Sequence, residues 1–243
     1  MKKRTLANGS WVAFSLPAIF FVLAFMLYPV IYSLVLSFYS HQGLMSTFVG
    51  IGNFKRLLSD GIFWSSLFNT LLFLAIQVPI MLLLGLFFAY LLQTDGLKGR
   101  GFFRMALFLP CITSPVAYSI VFRTMFQFDG LINGILQSLH LIDNPISWLT
   151  EKNFARVVII IALCWRWTGY NTMYYIAGLQ NVSKDTLEAA RIDGANAFQE
   201  FFHIVVPQLK QVIVFTSITS TIGTLQLFDE VVNLTSGGPA NAT

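Results

Sequence analysis

The residues best suited to chemistry form one short stretch, Trp165 to Asn171, inside an apolar run. It contains two indole rings, a phenol ring, a hydroxyl, an amide and the guanidinium of Arg166. Aromatic faces together with hydroxyls and amides suit the binding of a polyol ring, whose faces are apolar and whose edges are polar. An arginine within a membrane segment is typical of a transport pathway or of a buried partner. The same aromatic residues are also typical of an interfacial belt, so both interpretations stay open.

A second stretch, Asp185 to Phe202, is charged and helix-forming between two apolar runs. Asp193-Gly194 predicts a break between two short helices, because Gly readily adopts the conformation that ends a helix. The second helix carries an apolar stripe of Phe198, Phe201 and Phe202. A helix lying on anionic lipid should be rich in Lys and Arg, but this stretch has one Arg against four acids. The pattern therefore favours docking into a groove of a partner protein over binding to the membrane surface.

No catalytic motif accompanies these two stretches. The sequence contains no G-x-x-x-x-G-K-[ST] phosphate loop, no G-x-S-x-G and no H-E-x-x-H. Cys111 and Cys164 both fall in apolar runs, which is typical of small core residues rather than of a disulfide or a metal site. We therefore expect no enzyme activity in the chain itself, no metal site and no cofactor of its own.

The elements that must position these residues are membrane helices. Of the 243 residues, 56% are hydrophobic and 11% are charged, whereas a soluble domain carries about 25% charged residues. Between Arg4 and Lys55 the potentially ionisable side chains are His41 and tyrosines, over a distance longer than the roughly 20 residues of one bilayer crossing. The run from Trp11 to about Phe38 is too long for a signal peptide, so we interpret it as a retained first helix.

We predict a single all-α transmembrane domain over residues 1–243, built as a polytopic helical bundle. Its five spans are placed near Val12–Leu36, Phe63–Leu92, Met105–Phe122, Phe154–Ile176 and Val212–Phe228. The charged stretch lies in the loop 178–210 between the last two spans. Residues Leu131 to Leu141 form a short amphipathic segment, which we expect to pack over the outer mouth of the bundle as an interfacial helix.

The distribution of Lys and Arg predicts the orientation, because cytoplasmic connections carry more of them. With a cytoplasmic N-terminus, the inside set is Lys2, Lys3, Arg4, Lys98, Arg100, Arg104, Lys184, Arg191 and Lys210. The outside set is smaller and consists of Lys55, Arg56, Arg123, Lys152 and Arg156. The loop 178–210 is therefore predicted to be cytoplasmic. The net charge of +4 is accounted for by membrane topology, so lipid and not nucleic acid is the expected surrounding.

Prolines interrupt two of the predicted spans. Pro79 lies in the middle of the second span, and Pro110 and Pro115 lie five residues apart in the third. Each removes a backbone hydrogen bond and is expected to kink its helix. Kinks in neighbouring spans favour a bent wall around a pathway, although packing geometry alone would also account for them.

The charged stretch carries a specific resemblance. Glu188-Ala189-Ala190, then Gly194, then Ile204 and Pro207, resembles the EAA motif of ABC importer permeases. The whole segment LQNVSKDTLEAARIDGANAFQEFFHIVVP is similar to that of the carbohydrate-uptake subfamily, the maltose, lactose and glycerol-phosphate type. Two further blocks agree with it, LKGRGFFRMALFLP and LFDEVVNLTSGGPANAT. The likeness covers nearly the whole chain.

The resemblance implies the type I ABC importer permease fold, with a cytoplasmic coupling helix seated in a cleft of an ATPase subunit. The coupling residues that it implies are Glu188, Ala189, Ala190, Asp193, Gly194, Phe198 and Phe201. It also implies a second homologous permease subunit, two ATP-binding subunits that hold the ATP and Mg, and an extracytoplasmic sugar-binding protein. The location implied is the cytoplasmic membrane of a bacterium or archaeon.

The resemblance further implies a substrate path, because the maltose-type permeases line their cavity with the corresponding part of the fourth span. By register, the path residues here are Trp165, Trp167, Thr168, Gly169, Thr172, Ser220, Gly223, Thr224, Leu227, Cys111 and Pro115. Permeases of this type have six spans with both ends cytoplasmic. The sequence ends at GGPANAT, where the last span would begin, so we expect a truncated chain.

Two acids, Asp229 and Glu230, follow the fifth predicted span. Our first interpretation is a solvated helix end, and contact with the binding protein is the alternative. An ion-gradient-driven transporter is the main rival function, but it requires paired membrane carboxylates, and no Asp or Glu falls inside a predicted span.

Overall fold

The computed structural model describes residues 7–43, 45–93, 96–239 and 243, and within these ranges the regular secondary structure is helical apart from one small hairpin. The chain divides into two compact units, residues 1–64 and 65–243. Both units are built mainly from helices and expose many large apolar side chains, as expected of a protein solvated by lipid, and the buried apolar residues of the described chain lie in the second unit.

The first unit starts with a long apolar helical segment and ends with a hairpin and a short helix. Its elements are α1 (Ala7–Val22), a π-helical turn (Leu23–Leu27), α2 (Tyr28–Leu36), β1 (Tyr39–Gln42), β2 (Met45–Phe48) and α3 (Gly52–Ser59). The strands are antiparallel with Tyr39 opposite Phe48. The side-chain amide of Asn53 donates to the carbonyls of Ser37 and Tyr39 at 2.9 Å each, which fixes α3 against the start of the hairpin. The all-α prediction missed this hairpin, whose strands are only four residues long.

The second unit holds the remaining helices, of which α4 begins just before the boundary. They are α4 (Gly61–Gln93), α5 (Arg100–Ile112), α6 (Pro115–Met125), α7 (Leu131–Ser138), α8 (Lys152–Leu179), α9 (Lys184–Ile192), α10 (Ala197–Glu200), a second π-helical turn (Phe201–Val205), α11 (Val206–Gln208), α12 (Lys210–Leu225) and α13 (Asp229–Thr235). Helix α8 packs against α5, α6, α12 and α13 and is the centre of this unit.

Two apolar clusters form the core of the second unit, and α8 contributes to both. The first cluster joins Phe73 of α4, Tyr118 of α6 and Ile159 of α8. The second joins Leu86 of α4, Tyr175 of α8 and Leu209 at the start of α12. These clusters hold the two halves of α8 in place, so that the polar middle of the helix lies between them.

The third predicted span is broken rather than kinked. Helices α5 and α6 are bent by 101° at Thr113 and Ser114, whose ψ angles are both 137°. The ring of Pro115 disfavours helical backbone at the residue before it, and Pro115 itself begins α6 as an N1 proline. Helix α4, by contrast, continues through Pro79 as one helix.

Two helical segments of the described chain have both the length and the apolar composition to cross a membrane alone, Phe14–Leu36 and Gly61–Gln93. Two pairs of helices separated by a sharp bend are long and apolar enough only when each pair is counted as one span. One pair is α5 with α6, and the other is Ala197–Gln208 with α12, which are bent by 73°. Helix α8 has 28 residues, about 42 Å at 1.5 Å per residue, which exceeds the hydrocarbon thickness. Polar and charged residues, among them Arg156, Arg166 and Asn171, make α8 less apolar than those segments.

Helix α5 approaches α8 so closely that the contact needs a glycine. A Cβ atom placed on Gly169 would lie 1.7 Å from the carbonyl oxygen of Leu107 and 2.5 Å from its carbon. Both atoms belong to backbone and cannot move aside as a side chain would. The identity of residue 169 therefore sets the spacing of α5 and α8.

Replacing Gly169 by Ala is expected to destabilise the protein by at least the ~1–3 kcal/mol of an overpacked core, because the backbone of α5 must shift. Thermal unfolding of the purified protein in lipid nanodiscs measures the loss. Gly101→Ala in α5 is the matched control, since its Cβ would meet nothing within 4 Å. Equal unfolding temperatures for the two variants would contradict the prediction.

Candidate functional site

A cavity of about 370 Å³ lies between α4, α8 and the α12–α13 region of the second unit. Its size falls within the ~300–1,000 Å³ of small-molecule sites. The residues that line it are Gln77, Met81, Pro115, Leu163, Arg166, Trp167, Tyr170, Asn171, Thr219, Ser220, Gly223, Thr224, Gln226, Leu227, Asp229 and Glu230. They come from stretches far apart in the sequence.

Aromatic rings contribute one part of the lining. The rings of Trp167 and Tyr170 meet edge to face, with centroids 5.8 Å apart. The hydroxyl of Tyr170 is 2.9 Å from that of Tyr174, which fixes the orientation of the phenol. Rings held in this way offer apolar faces of defined direction, which suits a ligand with flat apolar faces.

Amides and hydroxyls contribute another part. The hydroxyl of Thr224 donates to Oε1 of Gln77 at 3.0 Å, and that of Ser220 donates to Oδ1 of Asn171 at 3.5 Å. The amide nitrogen of Gln77 donates to the sulfur of Met81 at 3.3 Å, and a thioether is a weak acceptor. A ligand hydroxyl would be a better acceptor for the same donor. The cavity thus presents polar groups with hydrogen-bonding capacity to spare.

An ion pair lies in the wall of the cavity. Nη1 of Arg166 is 3.0 Å from Oε1 of Glu230, and both side chains are about a tenth exposed (10% and 9%). The interpretation of Glu230 as part of a solvated helix end is therefore wrong. Helix α12 ends at Leu225, before the predicted end at Phe228, and the short helix α13 packs back on α6 and α8. This return brings Glu230 into the interior.

The structure brings together about half of the predicted substrate-path residues. Those that line the cavity are Pro115, Trp167, Ser220, Gly223, Thr224 and Leu227. The others lie elsewhere on α5 and α8. Trp165 is 45% exposed and packs on the rings of Tyr118 and Phe122. Thr172 is fully buried and donates to the carbonyl of Thr168, which is itself buried.

The remaining two predicted path residues serve the packing of α5 on α8. Gly169 allows the close approach of Leu107, and the thiol of Cys111 donates to the carbonyl of Arg166 at 3.1 Å. A register taken from the sequence cannot distinguish the face of α8 that meets α5 from the face that meets the cavity. The predicted path omits Gln77, Met81, Leu163, Thr219 and Gln226, which also line the cavity. Tyr170 and Asn171 were not among the path residues taken by register, but they lie in the stretch Trp165 to Asn171 whose composition predicted the binding of a polyol ring. A polar Gln in an otherwise apolar run is the signal that could have found Gln77.

A second candidate surface lies on α9. Glu188, Ala189 and Ile192 are exposed, and Ile192 is 87% exposed. Because residues four apart share a helix face, Glu188 and Ile192 point the same way. Leu187 packs instead on the second core cluster, so α9 is amphipathic. Sequence reasoning missed Ile192, although an apolar residue one turn after Glu188 was visible.

The predicted break after α9 is present. Gly194 has φ +85°, and the amide of Ala195 donates to the carbonyl of Ala190 at 2.9 Å, the 6→1 bond of a Schellman motif. Helix α10 then begins with a capping box, in which the Asn196 and Gln199 side chains bond each other's backbone amides at 2.9 Å. The turn therefore fixes the direction of α10 relative to α9.

The predicted Phe stripe is divided between two directions. Phe198 is 68% exposed and its ring lies 4.4 Å from that of Phe202. Phe201 instead packs on Tyr90 of α4, with ring centroids 5.1 Å apart. The neighbouring carboxylate of Glu200 is buried and accepts a hydrogen bond from the Tyr90 hydroxyl at 3.3 Å. Phe201 thus anchors the segment to the bundle, and Phe198 faces outward.

A metal site is not found in the part of the chain that the structure describes, since no group of three or more His, Cys, Asp or Glu side chains is close enough to hold an ion there. The residues that line the cavity offer binding by ring faces, amides, hydroxyls and one charge pair.

Comparison with known proteins gives consistent matches. Residues 4–243 match the family described as "Binding-protein-dependent transport system inner membrane component". The chain is 50% identical over 243 residues to the lactose transport system permease protein LacF of Rhizobium radiobacter, covering 99% of this chain and 81% of that protein. It is 37% identical over 225 residues to the arabinooligosaccharides transport system permease protein AraP of Halalkalibacterium halodurans, covering 91% and 70%.

The fold is also found in a solved structure. A chain of the bacterial alginate ABC transporter, crystallised with an alginate pentasaccharide-bound periplasmic protein, matches with a TM-score of 0.82. The match covers 99% of this chain and 82% of that chain at 20% sequence identity. At this identity the likeness concerns the arrangement of the helices.

Proposed function

Because the chain belongs to the family of binding-protein-dependent transport system inner membrane components, we propose that it is a permease subunit of an ABC transporter that imports a sugar across the cytoplasmic membrane. The family and the helical permease fold, both predicted from the sequence, are confirmed. The sugar assignment is supported by relatives whose names specify lactose and arabinooligosaccharides.

The observation that carries the proposal is the composition of the cavity. Trp167 and Tyr170 supply ring faces for the C–H faces of a pyranose, and Gln77 and Asn171 supply amides for its hydroxyls. A purely apolar pocket would reject a sugar, because each buried hydroxyl without a partner costs free energy. A cavity built for a small cation would offer converging oxygens rather than rings. The lining fits a saccharide better than either.

The second candidate surface supports a separate ATP-binding subunit that supplies the energy for transport. With Glu188, Ala189, Ile192 and Phe198 exposed, α9 and the start of α10 present a small apolar patch edged by acid. Such a patch suits a groove in an ATP-binding subunit, in which a basic residue pairs with Glu188. ATP and Mg bind to two copies of that subunit. When the two ATP-binding subunits close on each other, α9 moves with them. The contact of Phe201 with Tyr90 passes this movement to α4.

The complete importer in this proposal has further components. A second homologous permease subunit completes the membrane pore, and an extracytoplasmic binding protein delivers the sugar. The N-terminus and the loop 178–210 face the cytoplasm, as the distribution of Lys and Arg predicts. The transported cargo then passes the cavity of α4, α8 and α12 on its way inward.

Replacing Trp167 by Ala tests the assignment of the cavity. We expect the affinity of the assembled transporter for sugar to fall at least about tenfold, which is about 1.4 kcal/mol, because a ring face is lost. The measurement is equilibrium binding of labelled lactose and arabinooligosaccharide to the complex in nanodiscs. The matched control is Trp165→Ala, two residues away on the same helix and outside the cavity. Equal losses for the two variants would refute the site.

A further inference from the structure

Arg166 is held in the cavity wall with its charge matched by one carboxylate. Its guanidinium lies 4.9 Å from the ring centre of Trp167 and 5.0 Å from that of Tyr118. Its Nε is buried and donates to no acceptor among the described residues. Nη1 meets Oε1 of Glu230 at 3.0 Å. The rings and the carboxylate together fix the position of the charge.

The cavity therefore contains a cation that is already neutralised. Among the described lining residues Arg166 is the basic side chain, and Asp229 and Glu230 are the acids. An anionic ligand would approach two carboxylates and a guanidinium whose charge Glu230 has balanced. An uncharged ligand meets no such opposition and can use the amides and hydroxyls. Without Glu230 the guanidinium would be left as a buried unpaired cation, which strongly favours an incoming anion.

We infer that the Arg166–Glu230 pair sets the charge selectivity of the cavity, so that neutral saccharides are accepted and saccharides bearing a carboxylate or phosphate are rejected. This inference rests on the proposed function, because it assigns a substrate class to the same cavity. Glu230 acts as a specificity-determining residue by occupying the site that a ligand's anionic group would take. The sequence position of Glu230, beyond the fifth predicted span, gave no indication of this role.

The test uses two ligands that differ in one group. Lactitol and lactobionate are both ring-opened derivatives of lactose, with a CH₂OH in the first where the second has a carboxylate. Their equilibrium binding is measured on the assembled transporter in nanodiscs, without the binding protein, for the wild type and for Glu230→Gln. We expect the wild type to prefer lactitol. In Glu230→Gln the affinity ratio of lactobionate to lactitol should rise at least tenfold.

Asp229→Asn is the matched control, because it removes the same charge from the adjacent lining residue without exposing the guanidinium. The inference expects a clearly smaller rise of the ratio in this variant. Equal rises in Asp229→Asn and Glu230→Gln would overturn it, since the net charge of the cavity would then be the cause. An unchanged ratio in Glu230→Gln would overturn it as well.

Two further variants keep the test decisive. The double variant Arg166→Gln/Glu230→Gln carries neither charge, so we expect its affinity ratio of lactobionate to lactitol to fall back toward the wild-type value. A ratio as high as that of Glu230→Gln would contradict the inference. If Glu230→Gln does not assemble, Glu230→Asp replaces it, and its shorter carboxylate should give a smaller rise in the same direction. Failure of the wild type to bind lactitol would refute the proposed sugar cavity itself. Lactitol binding with an unchanged ratio in the variants would refute the charge selectivity alone.

Discussion

Replacing Glu188 by Lys is expected to abolish sugar import while the membrane-spanning bundle stays folded. Glu188 is exposed on α9 and shares its face with Ile192, the most exposed part of the proposed docking surface. A basic residue of the ATP-binding subunit that pairs with Glu188 would be repelled by the new ammonium. Like charges brought together at an interface cost several kcal/mol, enough to lower the affinity more than about 100-fold.

The measurement is twofold, copurification of the ATP-binding subunit with the tagged permease and uptake of labelled sugar into cells. Both should fall to background in Glu188→Lys, and Glu188→Gln should give intermediate values because the repulsion is absent. Asp185→Lys reverses an exposed acid one turn earlier on the same helix and should have a much smaller effect. Unchanged copurification and uptake in Glu188→Lys would show that α9 does not dock by this charge.

The coupling segment could be predicted largely from local sequence, because its geometry is fixed by local signals. Gly194 takes a left-handed conformation and ends α9 where the Asp-Gly pair predicts it. The prediction grouped Phe201 with Phe198 in one apolar stripe, whereas Phe201 packs on Tyr90 of α4. Helix α10 passes after four residues into a π-helical turn, Phe201–Val205, whose wider turn departs from the 3.6-residue period. Phe198 and Phe202 still contact each other at a spacing of four, and it is the contact with the distant Tyr90 that sets Phe201 apart, which no local period predicts.

The cavity could be predicted only in part, because it is assembled from distant segments. The stretch around Trp167 could be predicted as a binding site from its composition, because its residues lie within one helix. Gln77 meets Thr224 across 147 residues, and no local pattern links them. The position of Glu230 depends on the early end of α12 and on the return of α13, which packs on α6 and α8. The carboxylate of Glu230, which the prediction left outside the membrane segments, therefore lies in the wall of the cavity in the structure.

The buried carboxylate also bears on the rival function. An ion-driven transporter was disfavoured because it requires paired membrane carboxylates and no predicted span contains an acid. Glu230 follows the fifth predicted span but is buried, and it is joined to Arg166 at 3.0 Å rather than to a second carboxylate. A carboxylate held by a guanidinium is poorly suited to bind and release a cation during each cycle, since the arginine competes for it.

Removing one partner of this pair should be among the most destabilising changes in the chain. Arg166→Leu leaves the Glu230 carboxylate buried without its cation, and breaking a buried pair in this way costs about 3–5 kcal/mol. Arg166→Leu/Glu230→Leu removes both charges, and apolar residues of similar volume in place of a buried pair are neutral or stabilising by about 1–4 kcal/mol. We therefore expect the double variant to be more stable than either single variant.

Thermal unfolding of the transporter complex in nanodiscs, with Glu230→Leu as the fourth corner of the cycle, measures the coupling between the two residues. A strong coupling with a recovered double variant would mean that the pair is not required for folding. Its presence in the wall of the cavity would then need a functional reason, and the rejection of anionic sugars supplies one. If the single variants unfold at the wild-type temperature, the pair is not buried as the structure has it. If the double variant is as unstable as the singles, the charges are needed for packing, and selectivity is no longer required to explain them.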